Sequence, residues 1–232
     1  MIHWKTNEEM GDGFQFDKSE HLEVKYNSLT KVETHEKNTM RTKYLVRDWW
    51  SDKQLLELRN FINEPHCDLG VNAWVLADLV KDMKNARFID LGVRLGASSA
   101  ILSINAKENN NKVCGCDLMF DGFQEQGARF VNEDYTCYMA DSVTLGKDWD
   151  EDPFDIIFVD TIHTREQVLA ELYFWANHLK EGGHFIFHDS HWTGPGDTIG
   201  DKKWERVDVA ITDFFNLPQS VRDMDVYEDD DI

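Results

Sequence analysis

Five aspartates share one setting between residues 86 and 190: each stands at the end of a short apolar run. They are Asp90, Asp117, Asp141, Asp160 and Asp189. A single aspartate after a strand says little, because aspartate often begins a turn. Five in matching positions predict one edge of a sheet that is lined with carboxylates. Such an edge could bind hydroxyl and amino groups, or hold a cation with oxygen ligands.

The segment FHDSHW at residues 187–192 concentrates two histidines and an aspartate. We expect Asp189 to lie beside Asp160, because each ends one of two successive strands. His188 precedes Asp189 on its strand, so the alternation of side chains predicts that it faces away and has a structural role. The loop that follows supplies two candidates for lining a binding pocket, His191 and Trp192.

Alternating strands and helices must position these residues. The clearest helical period covers residues 164–180, and the glycines of EGG at 181–183 are expected to end that helix. This alternation predicts an α/β fold with a Rossmann-like, doubly wound, mostly parallel sheet and helices on both of its faces. Ligands of such sheets bind beyond the carboxyl ends of the strands. The runs that we interpret as strands are ARFIDLG, NKVCGCDLM, YTCYMADS, FDIIFVDT and HFIFHD.

The remaining segments give a domain organisation. Residues 1–45 are polar without clear periodicity and are interpreted as an N-terminal arm. Residues 46–85 predict a helical cap segment packed on the core, with Ser51 able to cap its first helix. Residues 86–232 would form a single globular domain, and the glycine-rich loop at 193–204 is either a mobile lid or a flexible connection. The other elements expected are helices near 51–63, 72–83 and 207–215 and a short strand near 223–227.

Composition limits the partners and the compartment. The formal charge of −20 on 232 residues disfavours nucleic acid and anionic membrane surfaces as partners. Four cysteines without a CxxC pair are expected to be reduced thiols, which suits the cytoplasm. The two thiols of CGC at 114–116 should share one face of their strand. No leader-like or membrane-spanning apolar run is found in the sequence.

A glycine turn joins the first strand of the alternation to its helix in FIDLGVRLGASSA. The spacing is Gly92-x-x-x-Gly96, and Arg94 stands where a dinucleotide-binding turn would have its middle glycine. Since pyrophosphate needs a close backbone approach at that glycine, the turn disfavours NAD and FAD. A phosphate-binding G-K-[ST] sequence is also lacking.

DLGVRLGASS resembles the first motif of the class I S-adenosylmethionine-dependent methyltransferases, in particular their small-molecule O-methyltransferase branch. The segment from FDIIFVD to HDSHWTGPG is similar to the same branch, so the resemblance covers residues 86–196. It implies a Rossmann-like fold, S-adenosylmethionine as cofactor and methyl transfer to a hydroxyl of a small molecule. A sugar, a phenol or a natural product would be the acceptor.

The resemblance gives roles to the residues of the glycine turn. Gly92 and Gly96 would let the backbone pass close to the carboxypropyl and sulfonium groups of the cofactor. Asp90 would bind the cofactor's amino group, directly or through water. Ser98 and nearby amides would suit its carboxylate, with a helix cap as the alternative for Ser98.

The ends of the next two strands would hold the nucleoside of the cofactor. Asp117 is placed to bind both ribose hydroxyls, and the alternative is a plain turn residue. Asp141 and Ser142 would face the adenine amine.

Methyl transfer from a sulfonium needs an aligned, deprotonated nucleophile. In metal-dependent members of the branch, the pair that matches Asp160 and Asp189 binds a divalent cation, and Mg²⁺ or Mn²⁺ is expected here. Ser190 departs from that pattern, because it occupies the place of a stronger third ligand. DTIH resembles the D-x-x-H of tailoring methyltransferases, which makes His163 a candidate general base beside Asp160. His163 could instead cap the next helix or orient Asp160, and a nearby histidine would favour a softer cation such as Mn²⁺ or Fe²⁺.

One alternative of another class stays open. The departures at Arg94 and Ser190 are also compatible with a catalytically silent cofactor-binding or scaffold protein on the same fold. Because members of the branch often dimerise through N-terminal helices, a homodimer is a further expectation.

Overall fold

The computed structural model describes residues 3–6, 53–62, 67, 69, 72–190, 198–199, 202–203 and 207–215. Strands and helices alternate through most of this part of the chain, as the apolar runs predict. The strands are β1 (His3–Thr6), β2 (Arg87–Leu91), β3 (Lys112–Asp117), β4 (Thr136–Met139), β5 (Phe154–Val159), β6 (Leu179–Phe187), β7 (Thr198–Ile199) and β8 (Lys202–Lys203). The helices are α1 (Lys53–Ile62), α2 (Asn72–Val80), α3 (Ala97–Leu102), α4 (Asp121–Glu125), α5 (Ser142–Asp148), α6 (Arg165–Trp175) and α7 (Val207–Phe215).

Six strands form one sheet in the order β1-β4-β3-β2-β5-β6. Every pair of neighbours in it is parallel. The prediction of a doubly wound, mostly parallel sheet is therefore confirmed. β7 and β8 form a separate antiparallel pair within the 193–204 loop.

Apolar side chains cover both faces of the sheet. One face packs against α1, α2 and α3 through residues such as Phe61, Leu76 and Ile101. The other face packs against α5 and α6 through residues such as Trp149 and Trp175. Cys114 and Cys116 both lie on this second face, and all four cysteines are buried and outside any disulfide, as alternation and spacing predict.

The helix predicted over residues 164–180 is too long. α6 ends at Trp175, and the EGG glycines lie inside β6 instead of ending a helix. There Phe154 pairs with Leu179 whereas Ile156 pairs with His184, so residues of β6 bulge out of the ladder. Gly182 adopts a φ of 76° in that bulge. This left-handed backbone favours glycine, so the glycine is accounted for by the bulge and not by the end of a helix.

Besides the strand pair β7 and β8, β1 and α5 have no counterpart in the sequence prediction. β1 pairs with β4 as an edge strand, within the segment interpreted as a polar arm. α5 begins directly after Asp141, whose side chain accepts the backbone N–H of Thr144 as a helix N-cap. This Asp-x-x-Thr signal was present in the sequence, but only two turns of helix follow it.

Several predictions lie outside the described residues. They concern the cap at Ser51, most of the 1–45 arm, the pocket candidates His191 and Trp192, and the strand near 223–227. In the part of the chain that the structure describes, no helix combines the length and the apolarity needed to cross a membrane.

Candidate functional site

The carboxyl ends of the parallel strands gather the predicted aspartates at one edge of the sheet. Asp117 ends β3, Asp160 directly follows β5, and Asp141 and Asp189 each come two residues after a strand. Asp90 differs from the expectation, because it lies inside β2 and is fully buried. Four of the five carboxylates thus lie at the rim, and the fifth lies beneath it.

The two glycines of the turn are required by the protein's own packing. Gly92 has a φ of 96°, and a Cβ there would overlap the carbonyl oxygen of Asp160. Gly96 has a φ of 87°, and a Cβ there would lie 2.5 Å from Phe123 Cδ2. Gly92 therefore lets the glycine turn pack directly on the start of the segment that carries Asp160 and His163.

Asp117 holds the glycine turn in place. Its Oδ2 accepts the backbone N–H of Arg94 at 2.7 Å, and its Oδ1 accepts that of Met119 at 3.2 Å. Arg94 adopts a φ of 48° at the position of the missing middle glycine. Asp117 stays partly exposed, so the ribose contact predicted for it would use its remaining lone pairs.

Ser98 and Ser99 both donate to the buried carboxyl of Asp90. The distances from their Oγ atoms to Asp90 Oδ2 are 2.7 and 2.5 Å. Asp90 Oδ1 is buried and has no hydrogen-bond partner among the described residues. Burial raises the pKa of Asp90 to about 7, against the opposing effect of the two hydroxyl groups.

Asp141 and Ser142 have protein partners of their own. Asp141 caps α5, and Ser142 is buried and donates to Glu171 Oε1 at 2.5 Å. The same oxygen of Glu171 accepts the Thr161 hydroxyl at 2.7 Å and the Gln167 amide at 3.0 Å. Contact of Asp141 and Ser142 with adenine stays a prediction. Through these hydrogen bonds, Glu171 connects the segment after β4 to the segment after β5.

Asp160, His163 and Asp189 converge as the sequence predicts. His163 Nε2 lies 3.4 Å from Asp160 Oδ1 and 3.7 Å from Asp189 Oδ2. One potential ligand atom from each of the three lies within 4.8 Å of the others. Two carboxylate oxygens and one imidazole nitrogen at this spacing could share one divalent cation.

The prediction that His188 faces away is wrong. Its Nδ1 lies 3.3 Å from Asp160 Oδ1 and 3.3 Å from Asp189 Oδ1. β6 ends at Phe187, and Asp189 takes a left-handed backbone with a φ of 48°. Strand alternation therefore stops before these two residues, and the chain turns both side chains towards the same point.

His188 and Asp160 stabilise each other's charged forms. Burial works against the imidazolium, but the ion-pair contacts with Asp160 and Asp189 outweigh it and raise the pKa of His188 to about 10. Burial likewise opposes ionisation of Asp160, yet its contacts with His163 and His188 hold its pKa well below the usual range. At neutral pH, an internal cation therefore accompanies the two carboxylates.

Ser190 is engaged at its backbone by another element. Its carbonyl oxygen accepts the N–H of Asp208, near the start of α7, at 3.0 Å. His163, and not Ser190, joins the two aspartates in the described cluster. The D-x-x-H spacing in DTIH was the sequence signal for that substitution.

Comparison with known proteins finds a methyltransferase domain in the segment that carries these residues. Residues 89–190 match the family model described as methyltransferase domain. No curated protein sequence matches the chain.

Solved structures with a similar fold include three bound to S-adenosylmethionine or its product S-adenosylhomocysteine. TomG from Streptomyces achromogenes, an O-methyltransferase involved in tomaymycin synthesis, is 16% identical with a TM-score of 0.53 over 76% of this chain and 80% of that chain. The O-methyltransferase from Bacillus cereus is 17% identical (TM-score 0.52; 77% and 83%). The methyltransferase PaMTH1 from Podospora anserina is 14% identical (TM-score 0.52; 75% and 80%).

The chain has the fold of the class I S-adenosylmethionine-dependent methyltransferases, and residues 89–190 match a methyltransferase domain. By fold, the chain stands beside the O-methyltransferases of that class. Beneath the turn, Asp90 Oδ1 has no hydrogen-bond partner among the described residues and could accept one from an amino group.

Proposed function

We propose that this protein is a methyltransferase that transfers the methyl group of S-adenosylmethionine to a hydroxyl oxygen of a small molecule. The observation that carries the proposal is the convergence of Asp160, His163 and Asp189 beside the glycine turn. Because Gly92 packs on the Asp160 carbonyl, groups that could deprotonate a hydroxyl adjoin the turn that would hold the sulfonium. A small acceptor is favoured over nucleic acid because the chain carries a formal charge of −20.

The chain's own residues would divide the work as follows. Asp90, Ser98 and the turn from Gly92 to Gly96 would hold the amino acid end of the cofactor. Asp117 would bind the ribose, and Asp141 with Ser142 the adenine. In the absence of a bound cation, His163 would accept the proton of the acceptor hydroxyl, with Asp160 orienting its ring at 3.4 Å.

A divalent cation would fit the same cluster. Asp160 and Asp189 supply oxygen ligands and His163 supplies a nitrogen ligand, a set that suits Mn²⁺ better than Mg²⁺. When bound, such a cation lowers the pKa of a coordinated hydroxyl and orients the acceptor. The imidazolium of His188 competes for the same carboxylates, so we expect the cation to bind more weakly than a site of two unpaired carboxylates would suggest.

Calorimetry with S-adenosylhomocysteine tests the cofactor residues. We expect saturable binding by the wild type and a loss of about 10-fold or more for Asp117→Asn, because a charged hydrogen-bond acceptor is removed. Asp134→Asn is the control. Asp134 is an exposed acid just before β4, at the edge of the sheet opposite to the carboxyl ends that carry the site. No binding by the wild type would overturn the cofactor assignment.

Turnover tests the acceptor class. Transfer of a labelled methyl group from S-adenosylmethionine would be measured across sugars, phenols and amines, with EDTA and with added Mn²⁺ or Mg²⁺. We expect label on hydroxyl compounds only. Cofactor binding without turnover on any acceptor would instead indicate a catalytically silent cofactor-binding protein.

Two further expectations accompany the proposal. The four buried free thiols suit a reducing compartment such as the cytoplasm. A homodimer stays a prediction that sedimentation at several protein concentrations would test.

A further inference from the structure

A chain of three buried side chains runs beneath the glycine turn. Tyr135 Oη lies 2.6 Å from Ser99 Oγ, and Ser99 Oγ lies 2.5 Å from Asp90 Oδ2. Since the single hydroxyl proton of Ser99 goes to the carboxyl of Asp90, Tyr135 must be the donor to Ser99. The order of donation is therefore from Tyr135 to Ser99 to Asp90.

Packing builds this arrangement around the tyrosine hydroxyl. A Cβ at Gly115 on β3 would overlap Tyr135 Oη, so glycine leaves the room that the hydroxyl occupies. The ring of Tyr135 stacks on Phe123 with centroids 5.3 Å apart. Phe123 in turn packs on Gly96, and this contact places the tyrosine directly under the glycine turn.

The hydrogen bonds fix which oxygen of Asp90 remains open. Ser98 and Ser99 both donate to Oδ2, whereas Oδ1 is buried and lacks a partner among the described residues. A buried carboxyl oxygen without a donor is unfavourable by itself. An ammonium group on a ligand would relieve that cost, and the amino group of S-adenosylmethionine is such a group.

We propose that Tyr135 is a positioning residue for the cofactor, acting through Ser99 to orient the Asp90 carboxyl. Without the tyrosine hydroxyl, Ser99 Oγ loses the donor that fixes its rotamer, and its own hydrogen bond to the Asp90 carboxyl is weakened. The inference rests on the S-adenosylmethionine site proposed above. In this role Tyr135 would not contact the cofactor itself.

Variants that each remove one hydroxyl test this inference. S-adenosylhomocysteine affinity and melting temperature would be measured for Y135F, S99A and the double variant Y135F/S99A. Y138F is the matched control, since Tyr138 is also buried and donates to Glu151 at 3.2 Å, but it packs on the opposite face of the sheet.

We expect Y135F to weaken binding of S-adenosylhomocysteine by about 3- to 10-fold, the loss of one hydrogen bond. The double variant should bind no more weakly than S99A, because the tyrosine acts only through the serine. The KM for S-adenosylmethionine should rise in Y135F while kcat at saturation stays within about 2-fold of the wild type. Y138F should bind like the wild type.

Wild-type affinity in Y135F, or additive losses in the double variant, would overturn the inference. If Y135F does not fold, a folded S99A with unchanged affinity would overturn it as well. Failure of the wild type to bind is a separate result, which removes the cofactor assignment itself.

Discussion

The Nδ1 atom of His188 lies 3.3 Å from Oδ1 of Asp160, and this contact places a buried cation at the centre of the reactive edge. Asp160 would otherwise face Asp189 across a largely buried space, where like charges repel strongly. The imidazolium thus partly neutralises the two carboxylates, as a bound divalent cation would. Metal binding and His188 are therefore coupled through the same two carboxylates.

Replacing His188 with glutamine should separate these two effects. In EDTA, we expect H188Q to be destabilised by about 2–4 kcal/mol, because one partner of a buried charge cluster is lost. Added Mn²⁺ should then raise the melting temperature of H188Q by more than it raises that of the wild type. Thermal denaturation with and without Mn²⁺ measures both changes.

H184Q is the control for that experiment. His184 lies on the same strand but is exposed, so its replacement should change stability by less than about 0.5 kcal/mol. A smaller Mn²⁺ response in H188Q than in the wild type would show that His188 assists metal binding and does not compete with it.

Gly92→Ala should disturb the site more than Gly182→Ala. Both glycines have a positive φ, which costs alanine about 1 kcal/mol or more. Only at Gly92 would the added Cβ also overlap backbone, the carbonyl of Asp160, whereas at Gly182 it meets nothing. We expect G92A to be at least about 2 kcal/mol less stable than G182A.

Urea denaturation of the two variants measures this difference. G92A should also lose affinity for S-adenosylhomocysteine, while G182A keeps it. Equal stability of the two variants would mean that the glycine turn can move away from Asp160 without cost.

The fold could be predicted from the sequence because its signals are local and repeated. Continuous apolar strands and their terminal aspartates predicted the parallel sheet and its carboxylate edge, and the resemblance of the glycine turn to a methyltransferase motif implied the cofactor. The bounds of α7 were predicted almost to the residue from its apolar period. Such local signals suffice where each helix or strand follows its own apolar pattern.

The predictions that were wrong, and the buried acid that was not predicted, concern features that depend on contacts between different segments of the chain. The orientation of His188 follows from the left-handed backbone at Asp189, which strand periodicity does not reveal. The EGG glycines serve a bulge in β6, because the pairing with β5 shifts there. Glu171 accepts from Ser142 and Thr161, residues far from it in the sequence, and the apolar period of α6 gave no sign of a buried acid.

Glu171→Gln should change how stability depends on pH. Burial raises the pKa of Glu171 to about 7, although its hydrogen bonds oppose the shift. The folded protein therefore binds more protons than the unfolded chain between about pH 4.5 and 7, so this group makes stability fall as pH rises through that window. Glutamine cannot ionise and should remove that part of the fall.

We expect E171Q to gain stability relative to the wild type on going from pH 4.5 to pH 8, by up to about 3 kcal/mol. Denaturant unfolding at the two pH values gives the number directly. E166Q is the control, because Glu166 is exposed on the same helix. A constant difference between E171Q and the wild type at both pH values would contradict the prediction.

Replacement of His163 with alanine distinguishes two roles for this residue, metal ligand and general base. A ligand is needed for cation affinity, so H163A would lose the increase in melting temperature that Mn²⁺ gives the wild type. A base that does not bind the cation leaves that increase intact, and H163A would instead lose about 100-fold or more in kcat. The position of His163, 3.4 Å from Asp160 and 3.7 Å from Asp189, allows either role. Since His163 lies within ligand distance of both carboxylates, we expect the first outcome, with D189N losing the Mn²⁺ response as well. A full Mn²⁺ response in H163A would assign the histidine to proton transfer alone.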